Sequence, residues 1–382
     1  MPRTVSSTFP SAAPRGAGGN RASGASYRTT AAETRELRRR QRAAYHQMRR
    51  AFGLVPEPLS LFEPVPSLLL TGWACLRESL VCGTVPRRYK EALAVAISRG
   101  AECPYCVDAH RLLAAASGLG HSELQHLGSA EPAPADHDPQ LAAYNAWAQG
   151  TFQRPQAPLA APCSEEELPE LIGIGLCFHY IHRLATILLG DSPLPGSGIP
   201  GVRSTLLRAL PRPLGLAIRL LLGRQPQVGA SLPLMPAPWA ELPLRPEFDR
   251  LASRPNIQRA FSAFRHAAEA EVQPYLPAAP RRLLEAHLDA WDGAPLPLTS
   301  PALGELLTAT DPMHHPALRL AFLTARAPHR VTPEMLQSFR EVYSGKGPTV
   351  ALLAWAASRV AFGMMGWWGA EGSASGTAAR LG

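Results

Sequence analysis

Segments built from Ala, Leu and Arg at helical spacing recur from Glu33 to Gly369, and few β-branched runs alternate with polar residues anywhere in the chain. Apolar residues that return every three to four positions lay one stripe along one helix face, whereas a half-buried strand needs strict alternation. The pattern restricts the chain to an all-α fold. Helices are expected near residues 32–52, 65–81, 86–99, 103–117, 121–127, 138–150, 164–190, 202–222, 248–270, 279–291, 315–326, 332–343 and 347–367. With 382 residues, 46% of them apolar, the chain can bury a large core and is long enough for two or three domain-sized units.

Within this helical pattern, Glu91, Cys103, Cys106 and His110 form the spacing E-x11-C-x2-C-x3-H. Residues three, four and seven apart share a helix face, so both sulfurs and the imidazole would line one stripe from the helix N-terminus. Gly100 suits the end of the preceding helix and Pro104 the first helical position, which leaves Cys103 at or beside the N-cap. Unpaired N–H groups and the helix dipole there can lower a thiol pKa from about 8.5 to somewhere in roughly 3.5 to 7.5. His110 is placed to take a proton from Cys106, with Glu91 behind the imidazole. A C-x-x-C pair alone fits redox chemistry, a metal site or chance. A structural zinc site wants four ligands, and here Glu91 would have to be the fourth. Attachment of a c-type haem is excluded because Val107, not His, follows Cys106. A thioredoxin-like fold would need strands around the motif.

The quartet resembles the redox motif of the alkylhydroperoxidase D family, within the wider carboxymuconolactone decarboxylase-like group of small all-helical proteins. The motif-bearing resemblance covers about residues 55–195. More loosely the whole chain looks like the long two-unit members of the group. The resemblance implies Cys106 as the thiol that attacks peroxide, Cys103 as the resolving thiol, His110 as the base and Glu91 as its support. The best-known members carry a second histidine between the cysteines, where this chain has Tyr105. The resemblance further implies a thiol-dependent peroxidase or disulfide oxidoreductase, needing no organic cofactor or metal. Its partners would be a hydroperoxide substrate, an external dithiol or thioredoxin-like reductant, and further copies of itself in a homo-oligomer. Two other readings stand beside it. One is a decarboxylase or lactone-handling enzyme of the wider group, whose members typically lack the C-x-x-C pair. The other is a non-catalytic scaffold whose cysteines sense oxidation or hold zinc.

The formal charge of +8 is unevenly spread. Residues 1–50 hold 11 Arg and 2 Glu, leaving 27 basic and 28 acidic residues elsewhere. Residues 1–31 are expected to form a disordered basic tail. No aromatic platform or nucleic-acid-binding fold accompanies it, so specific nucleic-acid binding is not expected. The start lacks the apolar core of a secretory signal. Two lysines, Lys90 and Lys346, stand against 36 arginines, a bias of GC-rich genomes that points to a bacterial cytoplasm. Cys75, Cys82, Cys163 and Cys177 are scattered in apolar surroundings and read as small buried hydrophobes, not a disulfide framework.

The longest apolar stretch, Leu171 to Gly190, carries His179, His182 and Arg183 near its middle, which makes it a buried helix and no membrane span. His179 and Arg183 either face a pocket or are satisfied within the bundle. Residues 32–195 form the motif-bearing unit and 196–246 a Pro-rich, basic amphipathic connector that lies across its own protein. Residues 247–369 form a second helical unit and 370–382 a flexible tail. Pro86-Arg-Arg-Tyr-Lys-Glu91 has a counterpart in Pro280-Arg-Arg-Leu-Leu-Glu285, an offset of 194 that sets Pro297, Ser300 and Gly304 opposite Cys103, Cys106 and His110. Arg359 with Ala361 to Trp368 likewise resembles the helix around Arg183. The second unit therefore reads as a degenerate copy of the first, without thiol chemistry.

Overall fold

A computed structural model describes residues 30–129, 138–156, 159–196, 202–222 and 226–368. Of the tail expected at 1–31, residues 1–29 lie outside the described residues, as does the tail expected at 370–382; Thr30 and Ala31 already belong to the start of the first helix. Among those described, every regular element is helical. In chain order the helices are α1 (Ala31–Phe52), α2 (Glu57–Ser60), α3 (Pro66–Leu76), α4 (Arg87–Gly100), α5 (Pro104–Ala116), α6 (His121–His126), α7 (Pro139–Gly150) and α8 (Leu168–Leu188). Over the expected connector lie α9 (Val202–Ala209), α10 (Pro211–Leu222) and α11 (Ala237–Glu241). There follow α12 (Pro255–Val272), α13 (Ala278–Asp289), α14 (Pro301–Thr308), α15 (His315–Arg326), α16 (Pro333–Val342) and α17 (Lys346–Met365).

Local chemistry explains many of these boundaries. Thr30 and Glu33 close a reciprocal capping box at the start of α1, and Gly53 ends that helix in the left-handed conformation at φ +79°. Proline occupies the first or second position of α3, α5, α7, α8, α12, α14, α15 and α16, where its missing N–H loses no bond. The expected helix at 65–81 is α3 followed by a π-helical segment, Arg77–Val81. The helical stretch expected at 202–222, with breaks at Pro211 and Pro213, forms two helices: Leu210 separates them and Pro211 starts the second, while Pro213 lies within its first turn. Helix α14 is too short to give a clear periodic signal and was not expected.

One continuous apolar core draws on residues from Ala44 to Trp368. Helix α12 lies along α3 and α17 along α8. Tyr180 stacks on Phe264 with centroids 5.0 Å apart, and the buried Trp368 indole donates to the Thr151 carbonyl at 2.9 Å. Helices α8 and α17 are long and apolar enough to cross a bilayer, but 78% and 83% of their apolar windows are buried in this core. Ser300 caps α14 with a backbone close to that of Cys103 before α5, φ −109° and ψ 100° against φ −103° and ψ 92°. Matching the helices by these caps sets Ser300, Leu303 and Leu307 opposite Cys103, Cys106 and His110, each three residues later than the offset of 194 gives.

Behind the motif, the buried Lys90 ammonium meets Glu170 of α8 at 2.6 Å and donates to the carbonyls of Ser79 and Cys82. Glu170 also accepts from the Thr84 and Val85 backbone N–H groups, at 2.9 and 3.2 Å. Gly83, at φ +109°, lets the loop pass so close that a Cβ there would stand 2.3 Å from the Glu170 carboxyl. A paired buried charge is weak evidence for stability, but it fixes the register of α4 against α8.

Candidate active site

The chain reverses between α4 and α5 within Ala101, Glu102 and Cys103. Glu102 takes the left-handed conformation at φ +51°, the only non-glycine among the described residues to do so. The Cys103 N–H donates to the Ser98 carbonyl at 3.1 Å, and the Cys103 carbonyl accepts from Val107 N–H at 3.0 Å, starting α5. Helices α4 and α5 then run back along each other, bringing Glu91 to His110. His110 Nδ1 lies 2.9 Å from Glu91 Oε2. The other Glu91 oxygen accepts from Arg87 Nε at 3.1 Å. Arg87 also donates through Nη1 to the Ala51 carbonyl at 2.9 Å and sits 5.0 Å from the Phe52 ring centroid. With Nδ1 held by the carboxylate, Nε2 is the nitrogen left for proton transfer.

Burial pushes the Glu91 carboxyl up, but the His110 hydrogen bond and the Arg87 guanidinium outweigh it and hold the group below its usual range. A hydrogen bond from the Cys106 thiol holds Cys103 below an ordinary thiol, against the effect of burial. Cys106 is pushed well up by burial and by giving its proton to Cys103. In the resting dithiol, therefore, the proton favours Cys106 and negative charge favours Cys103 at the N-cap.

Cys106 and His110 open onto a pocket of about 280 Å³; Cys103 does not line it. The walls are otherwise almost wholly apolar, including Phe52, Leu59, Leu80, Phe178 and Ile181. Cys103 instead lies beneath Tyr105, Ala185 and Leu189. Tyr105, which also lines the pocket, donates its hydroxyl to Glu57 Oε2 at 2.9 Å. Burial is the largest of the effects that raise the Tyr105 phenol, followed by that carboxylate. The connector closes one side: Leu210 and Leu214 line the pocket, and Gly215 allows α10 to approach so closely that a Cβ would stand 2.6 Å from the Ala116 carbonyl oxygen.

The structure brings Glu91, Cys103, Cys106 and His110 together and adds residues the motif does not announce. Asp108, buried between Cys106 and His110 on α5, accepts both Arg203 Nε at 2.6 Å and Nη2 at 2.7 Å, and the Ser192 hydroxyl at 2.6 Å. This latches α9 over α5. The His110 ring meets Phe178 edge-on at 4.4 Å, and Phe178 stacks on His182 at 5.6 Å. Ser98 uses its one proton on the Ala94 carbonyl at 2.6 Å, so His182 Nε2, 2.9 Å away, must carry hydrogen and donate to it. The same count applies to Thr151 and His179 Nε2, 2.8 Å apart. Both histidines are neutral, their pKa values driven well below 6.5 by burial. Neither His179 nor Arg183 lines the pocket. Arg183 donates to the Ala325 carbonyl at 2.9 Å and to the His179 carbonyl, so both serve the bundle. The i to i+4 spacing of Arg87 and Glu91 was the one available sequence signal among these additions.

Among the described residues, no three His, Cys, Asp or Glu side chains gather closely enough to hold a metal ion. No family model matches the chain. It is 36% identical over 337 residues to a Mycobacterium tuberculosis protein named alkyl hydroperoxide reductase, a match covering 87% of this chain and 92% of that one.

Proposed function

We propose that this chain, which belongs to the alkylhydroperoxidase D-like family, is a thiol-dependent peroxidase that reduces organic hydroperoxides through Cys106 and Cys103. The observation that carries the reading is the shared wall of the apolar pocket: Cys106 lies one helical turn from His110, and His110 is tied to a buried, ionised Glu91. His110 Nε2 takes the Cys106 proton. The thiolate attacks the terminal peroxide oxygen, an S–O bond forms, and the O–O bond breaks. The departing alkoxide recovers the proton from His110 and leaves as an alcohol. The Cys103 sulfur then attacks the sulfenic acid, releasing water and forming the disulfide, and an external dithiol returns both thiols. Glu91 stabilises the imidazolium that exists between the two proton transfers. Tyr105, held by Glu57, takes the place of the inter-cysteine histidine.

The opposite pKa shifts of the two thiols favour a second assignment, with Cys103 as the first attacker. Access favours Cys106, because the pocket reaches only that sulfur. One experiment separates them. The reduced protein is given one equivalent of an organic hydroperoxide, and peroxide loss, peptide mass and metal content are read together. The wild type should consume the peroxide and lose two hydrogens as a Cys103–Cys106 disulfide. Cys106→Ser should be inert, whereas Cys103→Ser should turn over once and stop at a sulfenic acid on Cys106. The reverse pattern would make Cys103 the attacker. An inert wild type carrying stoichiometric zinc would support the scaffold reading instead.

The second unit, on the same reading, is a degenerate copy of the first that has become a permanent partner. The pairing of α3 with α12 and of α8 with α17 is what two related units packed face to face would give.

A further inference from the structure

Exposed arginines and leucines border the mouth of the pocket. The exposed residues of the pocket wall are Leu54, Glu57 and Pro195, so its mouth lies at the turn between α1 and α2. Helix α10 packs on α1 beside this turn, and Leu214 comes within 3.4 Å of a Cβ built on Gly53. Two large apolar side chains here face solvent, Leu54 at 57% exposure and Leu216 at 60%. Arg49 and Arg50 end α1 exposed just before Leu54, and exposed Arg212 begins α10. Of the connector arginines, Arg203 is taken up by Asp108, whereas Arg212 stands exposed beside the mouth. Glu57, the carboxylate at the mouth, accepts the Tyr105 hydroxyl.

We propose that this face docks on an anionic lipid surface and that the pocket takes its hydroperoxide from the acyl region of that surface. Arginines bordering solvent-facing leucines match an interfacial layer in which phosphate groups lie above hydrocarbon. A pocket with apolar walls that opens at this level receives a lipid-borne hydroperoxide without first passing it through water. The substrate half of the proposal rests on the peroxidase reading; the docking half does not.

The test uses the full chain and vesicles of phosphatidylcholine, alone or mixed with phosphatidylglycerol. The wild type should co-sediment with the mixed vesicles and not with the neutral ones, and high salt should release it. The triple variant Arg49→Glu/Arg50→Glu/Arg212→Glu should bind about tenfold less or weaker still. Leu216→Ser should weaken binding while leaving its salt dependence in place. Neither variant touches the pocket wall, so turnover of water-soluble tert-butyl hydroperoxide should be unchanged, which also reports a correct fold. Consumption of peroxidised lipid in mixed vesicles should fall with binding. Cys106→Ser should bind vesicles like the wild type; wild type that binds but consumes no soluble hydroperoxide would sink the peroxidase reading alone. Equal binding to neutral vesicles, no binding, or indifference to charge reversal would overturn the docking proposal. So would a wild-type oligomer that Leu216→Ser dissociates, since a second copy would then cover the face.

Discussion

Two neutral histidines buried behind the candidate active site make the protein's stability depend on pH in a window that carboxylates do not reach. His179 and His182 are 0% and 1% exposed, each donates Nε2–H to a hydroxyl, and each leaves Nδ1 without a hydrogen-bond partner among the described residues. Folding depresses both pKa values well below 6.5. Below that value the unfolded chain binds protons that the folded protein refuses, so stability is complete above it and falls as pH drops toward the folded pKa values. Each pH unit under full mismatch is worth ~1.4 kcal/mol per histidine. Integrated from about pH 7.5 to about pH 5.5, full mismatch sets an upper limit of ~1.4 kcal/mol per site and ~2.7 kcal/mol for the pair. Urea titrations across that range should show this loss, and the double variant His179→Gln/His182→Gln should show a much flatter profile. The glutamine amide can still donate to Thr151 and Ser98, so the variant should fold, with a lower stability at neutral pH from altered packing. A double variant with the wild-type pH slope would refute the assignment of both rings as neutral donors. The consequence reaches the site because His182 stacks on Phe178, which supports the His110 ring. Glu91, held below the usual carboxyl range, adds a separate loss of stability only at pH below about 4.5.

Arg87→Met removes the guanidinium that holds Glu91 Oε1 and the Ala51 carbonyl, and peroxide consumption in stopped flow should fall about tenfold through poorer orientation of His110; a wild-type rate would remove Arg87 from the relay's support. Gly83→Ala forces both a positive φ and a 2.3 Å contact with Glu170, so urea denaturation should report a loss of about 2 kcal/mol or more. Arg203→Gln breaks the bidentate grip on Asp108, and Cys106 should then react with a maleimide several times faster because α9 and α10 no longer stay latched over α5. Unchanged labelling would mean that apolar packing alone holds the connector down.

What the sequence disclosed and what it withheld differ by the range of the interaction. The all-α class, the N-cap position of Cys103 and the first-turn place of Pro104 are local consequences of spacing and of proline's missing donor, and the helices formed there accordingly. The convergence of Glu91 on His110 needed only one tight reversal between adjacent helices. Asp108 shows the opposite case. On an isolated α5 it is an acid on a helix face like any other; its burial follows from Arg203, 95 positions later, on a connector whose pattern gave only amphipathicity. His182 is similar, since its tautomer is dictated by a serine on α4 that has already spent its single proton. Tyr105 combines both kinds: its position was plain, yet its partner Glu57 lies on a four-residue helix too short to carry a period. The residues proposed to perform the chemistry were therefore legible because they lie close together in the chain, while those that set their protonation and cover them come from distant elements. It follows that Asp108 and Arg203 act as one unit. Arg203→Gln alone leaves a buried carboxylate with only Ser192 as a side-chain partner, so pairing it with Asp108→Asn should recover part of the lost stability while the labelling of Cys106 stays fast.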